Sequence, residues 1–447
     1  MHDLNRIPSG QAVRTRFAAA LSFAAIANLA PLALAGGGAV FQPLGFLNPD
    51  NFGPVIAYGM SADGSVIVGQ GVSPSGFEAF RWTQAGGMVG LGTFPNPGGF
   101  PSSLARACSA DGSVVVGASV RPNSLNEDGS PFRWTQATGM VYLGSLGGTE
   151  GGVARDVSAD GSVVVGYSSN ASFNLEAFRW SAGGGMAGIG DLPGGTFNSQ
   201  ASGVSGDGTL VVGPASTSSS PYNTSFRWTA GGGITGIMPT TFRAFGITGD
   251  GHFAFGDNLG RAARLDLQNG ALLTIPHVPI PGLNTDTDQA WAANADGSVV
   301  VGLHNLSLIN EFFGRAFMWD AAHGTRIIQN VLINDFGLGA ELAGWELNNA
   351  TAVSDDGLTV AGYGFAPSGE QAAWMARLPA PCNADISPPG PPAGDGTVDV
   401  NDLLLVITSW GSCPGCPTTA CAADINHDCV VDVNDLLAVI TQFGACP

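Results

Sequence analysis

Oxygen-bearing side chains recur at regular intervals in a short segment near the C-terminus. Loop positions 1, 3, 5, 9 and 12 carry oxygen-bearing side chains, which belong to Asp424, Asn426, Asp428, Asp432 and Asp435. Position 7 offers the backbone carbonyl of Val430. A hard cation of the size of Ca²⁺ is bound by oxygen ligands at these loop positions. The apolar pattern of residues 436–443 predicts a helix directly after the loop. We therefore expect a calcium-binding loop–helix unit here.

A similar unit lies upstream and keeps the second half of the loop. Its ligands are predicted to be Asp395, Thr397, Asp399 and Asp402, with Asp385 at position 1. Ten positions separate Asp385 from Asp395, whereas four would be usual, so the loop contains an insertion that removes the position-3 ligand. We expect calcium as the cofactor at both sites, with the downstream loop binding more tightly.

The charge of this segment favours a bound cation. Eight Asp and no Lys or Arg lie between Cys382 and the end of the chain. Carboxylates that converge in a loop repel one another unless a cation offsets their charge. Metal binding should therefore be coupled to the folding of this segment.

Two tandem Asp-rich loops, each followed by Val-Asn-Asp-Leu-Leu, resemble type I dockerin domains of bacterial cellulosome components. The resemblance covers residues 382–447 and implies a small helical domain with two EF-hand-like loops that binds a cohesin-like partner. The partner-binding positions that it implies are Val400, Asn401, Val433 and Asn434. Common dockerins carry a hydroxyl pair there, so the partner is left open. Loop position 6 is Gly396 in the first loop but Cys429 in the second, where a side chain costs about 1 kcal/mol of backbone strain.

Six of the seven cysteines belong to the same segment. The disulfide candidates are Cys382, Cys413, Cys416, Cys421, Cys429 and Cys446. Six cysteines in a small exported domain indicate disulfides, and sequence alone allows fifteen pairings. A zinc site at Cys413 and Cys416 is the alternative, although no second ligand pair is evident. The seventh cysteine, Cys108, replaces an apolar strand residue and is expected to be a buried free thiol.

Upstream of this segment the chain consists of seven copies of one unit. A Ser-Ala-Asp-Gly-Ser-Val-x-Val-Gly phrase recurs, with its Asp at Asp63, Asp111, Asp160, Asp207, Asp250, Asp296 and Asp356. The phrase is followed by Ala-Phe-Arg-Trp or a related tetrapeptide and then by a short apolar run. In the third unit we predict strands at 154–158, 163–165, 177–180 and 186–189, with a tight turn at Asp-Gly. The second strand is apolar on both faces, which is typical of a sheet packed between two others.

These features predict a seven-bladed β-propeller of four-stranded blades, an all-β fold. The seventh unit lacks its last strand, and a matching segment, Phe41–Gly45, lies before the first unit. Pairing of this segment with the 372–375 strand would close the ring and leave no open sheet edge. An open solenoid is the alternative, but it needs capping repeats that are not evident.

The repeats resemble the HAF-repeat proteins, a group of secreted bacterial proteins. The match is carried by Gly139-Met140-Val141-Tyr142-Leu143-Gly144, by Ala154–Gly166 and by Glu176-Ala177-Phe178-Arg179-Trp180. In the family a His precedes the Ala-Phe pair, whereas in this chain that position is occupied by Glu78, Glu176 or Arg315. The resemblance covers roughly residues 41–378 and implies an extracellular propeller-like module without a common activity.

The repeated polar residues are interpreted as structural. The seven Asp suit tight turns, although a metal or catalytic role is the alternative. The recurring Arg residues are Arg81, Arg133, Arg179, Arg227 and Arg264, and Met318 and Met375 replace them in two units. This replacement favours a bond to a neighbouring Asp or carbonyl over an anion-binding ring. The recurring Trp residues, Trp82, Trp134, Trp180, Trp228 and Trp319, are expected to be core residues rather than sugar platforms.

Signals for an enzyme are weak. The five His beyond residue 35 are scattered, with no paired metal-ligand spacing, and no nucleophile elbow or Walker loop occurs. A carboxylate pair could still form in space from Glu78, Glu127, Asp128, Glu150 or Glu176.

Composition and the N-terminal residues indicate export. Of 447 residues only 11% are charged, the net charge is −19, and all 16 basic residues are Arg, so nucleic acid and anionic lipid are poor partners. Arg6, Arg14 and Arg16 precede an apolar run that ends in Ala33-Leu34-Ala35, which predicts a signal peptide over 1–35; a membrane anchor is the alternative. No other apolar stretch is long enough to span a bilayer.

The predicted organisation is a signal peptide (1–35), a propeller (36–378), a linker (379–381) and the dockerin-like domain (382–447).

Two functions follow from this organisation. The first is a secreted, non-enzymatic binding or display protein that docks to a cohesin-like partner through its calcium-binding module. The second is a polysaccharide-degrading enzyme, or an accessory to one, in which the propeller is catalytic or binds carbohydrate; it rests on analogy with other dockerin-bearing proteins.

Overall fold

Each sequence repeat forms one antiparallel sheet in the computed structural model. The structure describes residues 38–48, 50, 53–97, 99–121, 129–217, 220–278, 287–308, 311–379, 386, 397–413, 421–426 and 428–445. The predicted signal peptide lies outside these residues. Within them, seven four-stranded sheets follow one another as the blades of a propeller, which confirms the fold and the number of blades.

Six blades are built from four consecutive strands, which run from the innermost strand of the blade outward. Blade 1 contains Val55–Met60, Val66–Ser73, Gly76–Thr83 and Gly87–Gly90. Blade 2 contains Ser103–Cys108, Val114–Ser119, Ser130–Thr135 and Gly139–Tyr142. Blade 3 contains Gly147–Val157, Val163–Asn170, Leu175–Ser181 and Gly185–Gly188. Blade 4 contains Gly203–Val204, Leu210–Thr217, Ser220–Thr229 and Gly233–Gly236. Blade 5 contains Phe242–Ile247, Phe253–Asn258, Arg261–Asp266 and Leu272–Thr274. Blade 6 contains Thr287–Ala293, Val299–Leu308, Glu311–Asp320 and Gly324–Ile327.

Blade 7 combines the two ends of the repeat region. Its first three strands are Glu346–Val353, Thr359–Phe365 and Gln371–Arg377, and a short helix, α1 (Ile328–Asn334), precedes them. The fourth strand is the N-terminal Val40–Pro43, in which Phe41 faces Ala376 and Gln42 faces Met375 in antiparallel register. The predicted closure of the ring by the N-terminal strand is confirmed.

The second strand of every blade lies between two neighbouring sheets. Val114, Val115 and Val116 of blade 2 are all buried, as the apolar composition of the repeat phrase predicts. The hydrophobic clusters accordingly cross from one blade to the next; Val115, for example, packs in one cluster with Val66 and Val68 of blade 1.

Backbone hydrogen bonds also join the blades next to their Asp-Gly turns. The N–H of Ala62 donates to the carbonyl of Ala110, and Ala110 donates in turn to Ala159, over 2.9 and 3.0 Å. Ala159 then donates to Gly206, and Gly206 to Gly249. Asp355 of blade 7 donates to Ala62 of blade 1 over 2.7 Å, so the same bond closes the ring.

The C-terminal residues form a pair of loop–helix units related by a pseudo-twofold pattern. Helix α2 spans Val400–Thr408 and helix α3 spans Val433–Thr441. Two short ladders connect the units: Thr397–Val398 pairs with Gly444–Ala445, and Gly411–Ser412 pairs with Val430–Val431. The core beneath the helices is small and includes Val406 and Val439 at equivalent positions. Within the described residues, no helix is both long and apolar enough to cross a membrane.

Candidate functional site

The downstream Asp-rich loop is held in place by hydrogen bonds to its own backbone. Asp424 accepts from the N–H groups of Asp428 and Cys429, over 3.1 and 2.9 Å. Asp428 accepts from the N–H of Val430 over 2.9 Å. Cys429, at loop position 6, has a positive φ of 73°, which is the conformation that makes glycine usual at this position.

The last carboxylate of this loop connects its two ends. Asp435 is fully buried; one of its oxygens accepts from the N–H of Ile425 over 2.7 Å, and the other accepts from the N–H of Asp432 over 2.8 Å. Asp432 caps α3 by accepting from the N–H of Asn434. These bonds bring both ends of the loop to one carboxylate, whose remaining acceptor capacity is available to a cation.

The upstream loop repeats this arrangement where it is described. Asp402 is 1% exposed; it accepts from the N–H of Ile386 over 2.7 Å and from the N–H of Asp399 over 2.8 Å. Ile386 follows Asp385 as Ile425 follows Asp424. The N–H of Ile386 therefore bonds to Asp402 as the N–H of Ile425 bonds to Asp435, although the upstream loop is longer. Asp385 and Asp395 lie outside the described residues, as does the side chain of Thr397.

The predicted partner-binding residues lie on the exposed faces of the two helices. Val400 is 55% exposed and Val433 is 62% exposed, and Asn401 and Asn434 are exposed beside them. Each helix, together with the residues just after its end, continues this face with three further apolar side chains that are about half exposed: Leu404, Ile407 and Trp410, and, at equivalent positions, Leu437, Ile440 and Phe443. Paired apolar stripes of this kind are typical of a surface that another protein covers.

Disulfides are present in the same domain. Cys413 is bonded to Cys421, and Cys429 is also disulfide-bonded. Cys413 therefore offers no thiolate to a zinc ion. Cys382, Cys416 and Cys446 lie outside the described residues. In the propeller, Cys108 is a free thiol, and its burial raises the pKa to about 12.

The repeated Asp side chains organise their own turns. Asp63 accepts from the Ser61 hydroxyl over 2.7 Å and from the N–H of Ser65 over 2.9 Å. In blades 2 and 3 the same bonds, led by those from Ser109 and Ser158, lower the pKa values of Asp111 and Asp160 to about 2. The repeated Asp thus has the local role expected of a turn residue.

The repeated Arg side chains of blades 1 to 5 each donate to a backbone carbonyl of the following blade. Arg81 of blade 1 donates from Nε to the carbonyl of Gly112 in the turn of blade 2, over 3.0 Å. Arg133 and Arg179 make the equivalent bonds to Gly161 and Gly208. The recurring Trp residues are partly or fully buried beside them in the clusters between blades.

The structure describes the side chains of two of the five carboxylates considered for catalysis. Each of the two accepts a hydrogen bond from a backbone N–H of its own blade. Glu78 accepts from the N–H of Gly92 over 2.8 Å, and Glu176 accepts from the N–H of Gly190 over 3.3 Å. They occupy the same position in blades 1 and 3 and so do not form a pair. Glu127 and Asp128 lie outside the described residues, as does the side chain of Glu150.

The structure brings together two His that the sequence separates. His304 Nδ1 lies 2.5 Å from one oxygen of Asp288, and His277 Nδ1 lies 3.3 Å from the other. His304 and Asp288 are buried, and the three ligand atoms lie within 4.8 Å of one another. Arg261 Nη1 lies 3.7 Å from the same carboxylate and supplies positive charge there. We interpret the cluster as a polar network between blades 5 and 6. The sequence interpretation missed it because 27 residues separate the two His.

A cavity of about 740 Å³ lies among the innermost strands of the blades. Each blade contributes the residue three positions before the repeat phrase: Tyr58, Arg106, Arg155, Ser202, Phe245, Trp291 and Thr351. We call these seven residues the channel ring. Sequence reasoning missed them, although one signal was available: this position varies widely in side-chain type, whereas the Asp-Gly pair that follows it is the same in all seven units.

The repeat itself explains why these side chains reach the cavity. In six blades the ladder between the first two strands shifts register at the channel-ring residue, as between Ala105 and Ala107 around Arg106. A residue inserted in this way can be redirected out of the sheet. The Gly that ends the repeat phrase leaves room for this shift in register, because a Cβ at that position in blade 2, Gly117, would collide with the carbonyl of Leu104.

The sequence and the structure were each compared with known proteins. Neither a protein-family profile nor a curated protein matches the sequence. Among solved structures, a TolB from Agrobacterium tumefaciens is similar at 14% identity and a TM-score of 0.38, over 61% of this chain and 89% of that chain. TolB from Acinetobacter baumannii is similar at 11% identity and a TM-score of 0.39, over 71% and 81% of the two chains. At these TM-scores the likenesses carry no argument about this chain.

Proposed function

We propose that this chain is an exported binding protein whose propeller is attached to a partner protein by a calcium-dependent C-terminal module. Export rests on the leader-like residues 1–35, and the module rests on the resemblance of residues 382–447 to dockerins. The observation that carries the docking role is the pair of equivalent apolar stripes on α2 and α3. Side chains such as Leu404 and Leu437, each more than half exposed, gain stability when a partner excludes water from them.

The buried carboxylates support the calcium requirement. Asp402, Asp424 and Asp435 are at most 3% exposed, in a segment without Lys or Arg. A buried carboxylate is costly unless charge or hydrogen bonds compensate it. The backbone N–H groups described above supply part of that compensation, and Ca²⁺ would supply the rest while fixing both loops.

Calcium binding is tested by calorimetric titration of the full, oxidised chain. We expect two sites, the tighter abolished by Asp435→Ala and the weaker by Asp402→Ala. Asp160→Ala is the matched control, because this exposed Asp organises a turn of the propeller; both sites should persist in it. The proposal fails if no Ca²⁺ binds at millimolar concentration, or if Asp402→Ala removes the tighter site.

Docking is tested separately with a panel of purified cohesin modules in calcium and in chelator. We expect binding by at least one module in calcium only, and its loss in the double variant Leu404→Glu/Leu437→Glu. Phe100→Glu, at a propeller residue that is 93% exposed, is the control and should bind as the wild type does. Retained binding in the double variant, with both calcium sites intact, would exclude the stripes as the docking surface.

A further inference from the structure

The channel ring is chemically divided between its two sides. Blades 2 and 3 contribute Arg106 and Arg155, whereas blades 5 and 6 contribute Phe245 and Trp291. Blade 4 separates the two pairs in one direction, and blades 7 and 1 separate them in the other. The cavity therefore has one side with two channel-ring arginines, called the cationic side, and a facing side with two aromatic rings, called the aromatic side. Arg243 also lines the cavity on the aromatic side, where it forms an ion pair with Asp257 over 3.4 Å.

The aromatic side is preformed. The rings of Phe245 and Trp291 are stacked with centroids 4.8 Å apart and an interplanar angle of 20°. Both residues are partly exposed and line the cavity. A flat apolar face of a ligand, either an aromatic ring or the C–H face of a sugar ring, can pack against such a pair.

The two arginines of the cationic side differ in their partners. Arg106 lies over the ring of Tyr58 at 4.5 Å and forms no ion pair with any described carboxylate. Arg155 donates to the side chain of Gln200 over 2.9 Å and lies over the ring of Tyr167 at 4.9 Å. The neighbouring Asp156 accepts from the N–H groups of Val157 and Val204, so backbone groups engage its carboxylate. An anionic group is the complement of the Arg106 guanidinium, which has no described acidic partner, in a partly desolvated cavity.

From this arrangement we propose that the propeller channel binds a small ligand that carries a carboxylate and a flat apolar face. The carboxylate is bound by Arg106 and Arg155, and the flat face packs on Phe245 and Trp291. The cavity volume of about 740 Å³ suits a ligand of one or two rings. Aromatic acids and uronic-acid saccharides share this chemistry. The proposal goes beyond the docking function and does not depend on calcium.

The test is a titration of the full chain with two acidic probes and their neutral counterparts, followed by calorimetry. The acidic probes are 2-naphthoate and digalacturonate; the neutral ones are 2-naphthamide and digalactose. We expect at least one acidic probe to bind at least about tenfold more tightly than its neutral counterpart. The acidic probe that binds identifies the ligand as an aromatic acid or an acidic sugar.

Two variants assign that binding to the channel. Arg106→Gln and Trp291→Leu should each weaken the acidic probe about tenfold or more, while calcium binding stays unchanged. Arg121→Gln is the matched control, because Arg121 also lies over a tyrosine ring, that of Tyr142 at 4.0 Å, but does not line the cavity. It should bind the probe as the wild type does. Circular dichroism of each variant establishes that the propeller is folded, and Arg155→Gln replaces Arg106→Gln if the latter is not.

Three outcomes would overturn the proposal. The first is that neither acidic probe binds at millimolar concentration. The second is that the neutral counterparts bind equally well. The third is that folded Arg106→Gln or Arg155→Gln and folded Trp291→Leu bind as tightly as the Arg121→Gln control. Because calcium binding is measured in the same preparations, failure of the channel site is distinguishable from failure of the docking module.

Discussion

The rings of Phe41 and Trp345 meet edge to face, with their centroids 5.2 Å apart. Phe41 belongs to the N-terminal strand, and Trp345 directly precedes blade 7, so the contact joins the two ends of the propeller. Both residues pack against the cluster that contains Trp374 and Leu347. The N-terminal strand is thus held by side-chain packing as well as by its backbone ladder.

Phe41→Ala is expected to lower the free energy of unfolding of the propeller by about 2 kcal/mol, since it removes a partly buried ring and an aromatic contact. Thermal and urea unfolding of the variant measure this loss. Phe100→Ala, which truncates a ring that is 93% exposed, should leave stability unchanged. Equal stability of the two variants would contradict a role of the N-terminal strand in closure.

Removal of the N-terminal strand itself should have a larger effect. Deletion of residues 38–46 exposes the edge of the 371–377 strand, which can then pair with another chain. We expect a lower melting temperature and concentration-dependent association, measured by light scattering. A deletion variant that is monomeric and as stable as the wild type would show that the ring closes by other means.

Arg81→Ala should lower the free energy of unfolding by about 2 kcal/mol, because the carbonyl of Gly112 loses a charged donor and the stem of Arg81 no longer packs. Arg81→Met, which copies the residue of blades 6 and 7, should lose less because it retains the packing. Chemical unfolding of both variants distinguishes the two contributions. An Arg81→Met variant as stable as the wild type would mean that the bond between blades contributes little.

Gly117→Ala is expected to destabilise the propeller by at least about 3 kcal/mol, because its methyl group would overlap the carbonyl of Leu104 and force the two strands apart. Gly183→Ala is the matched control, since an added methyl there meets no atom within 4 Å. Urea unfolding of the two variants makes the comparison. Similar stabilities would show that the blade accepts a side chain at this position.

Asp156 should make the stability of the propeller depend on pH. Burial raises its pKa to about 6 in the folded protein, against 3.8 when unfolded. Between these values the folded state binds more protons than the unfolded state, so stability falls as the pH rises from about 4 to about 6. The expected loss is about 3 kcal/mol, and it should be absent in Asp156→Asn.

Urea unfolding at a series of pH values measures this slope. Asp160→Asn is the control, because the pKa of Asp160 is lowered to about 2 and its titration alters stability only below about pH 4. A slope between pH 4 and 6 that survives in Asp156→Asn would assign the effect to another group.

The sequence by itself determined the blades and their number. The repeat phrase sets the turns and the doubly buried strands through contacts within one unit, and the unpaired Phe41–Gly45 segment indicates how the ring closes. The Asp-rich loops are similarly local, since their expected ligands lie within one short segment and the position-12 Asp also completes the capping box of the next helix. Patterns of this kind are readable because the interacting residues are close in the chain.

Only the tertiary structure decided what the propeller presents to a ligand. Arg106 and Trp291 are far apart in the sequence and belong to different blades, yet both line one cavity because every blade turns the same position toward the channel. Asp288 and His304 face each other on neighbouring strands of blade 6, and His277 reaches them from the segment that follows blade 5. No local pattern records the contacts between blades, because they arise only when the sheets are arranged around a common axis.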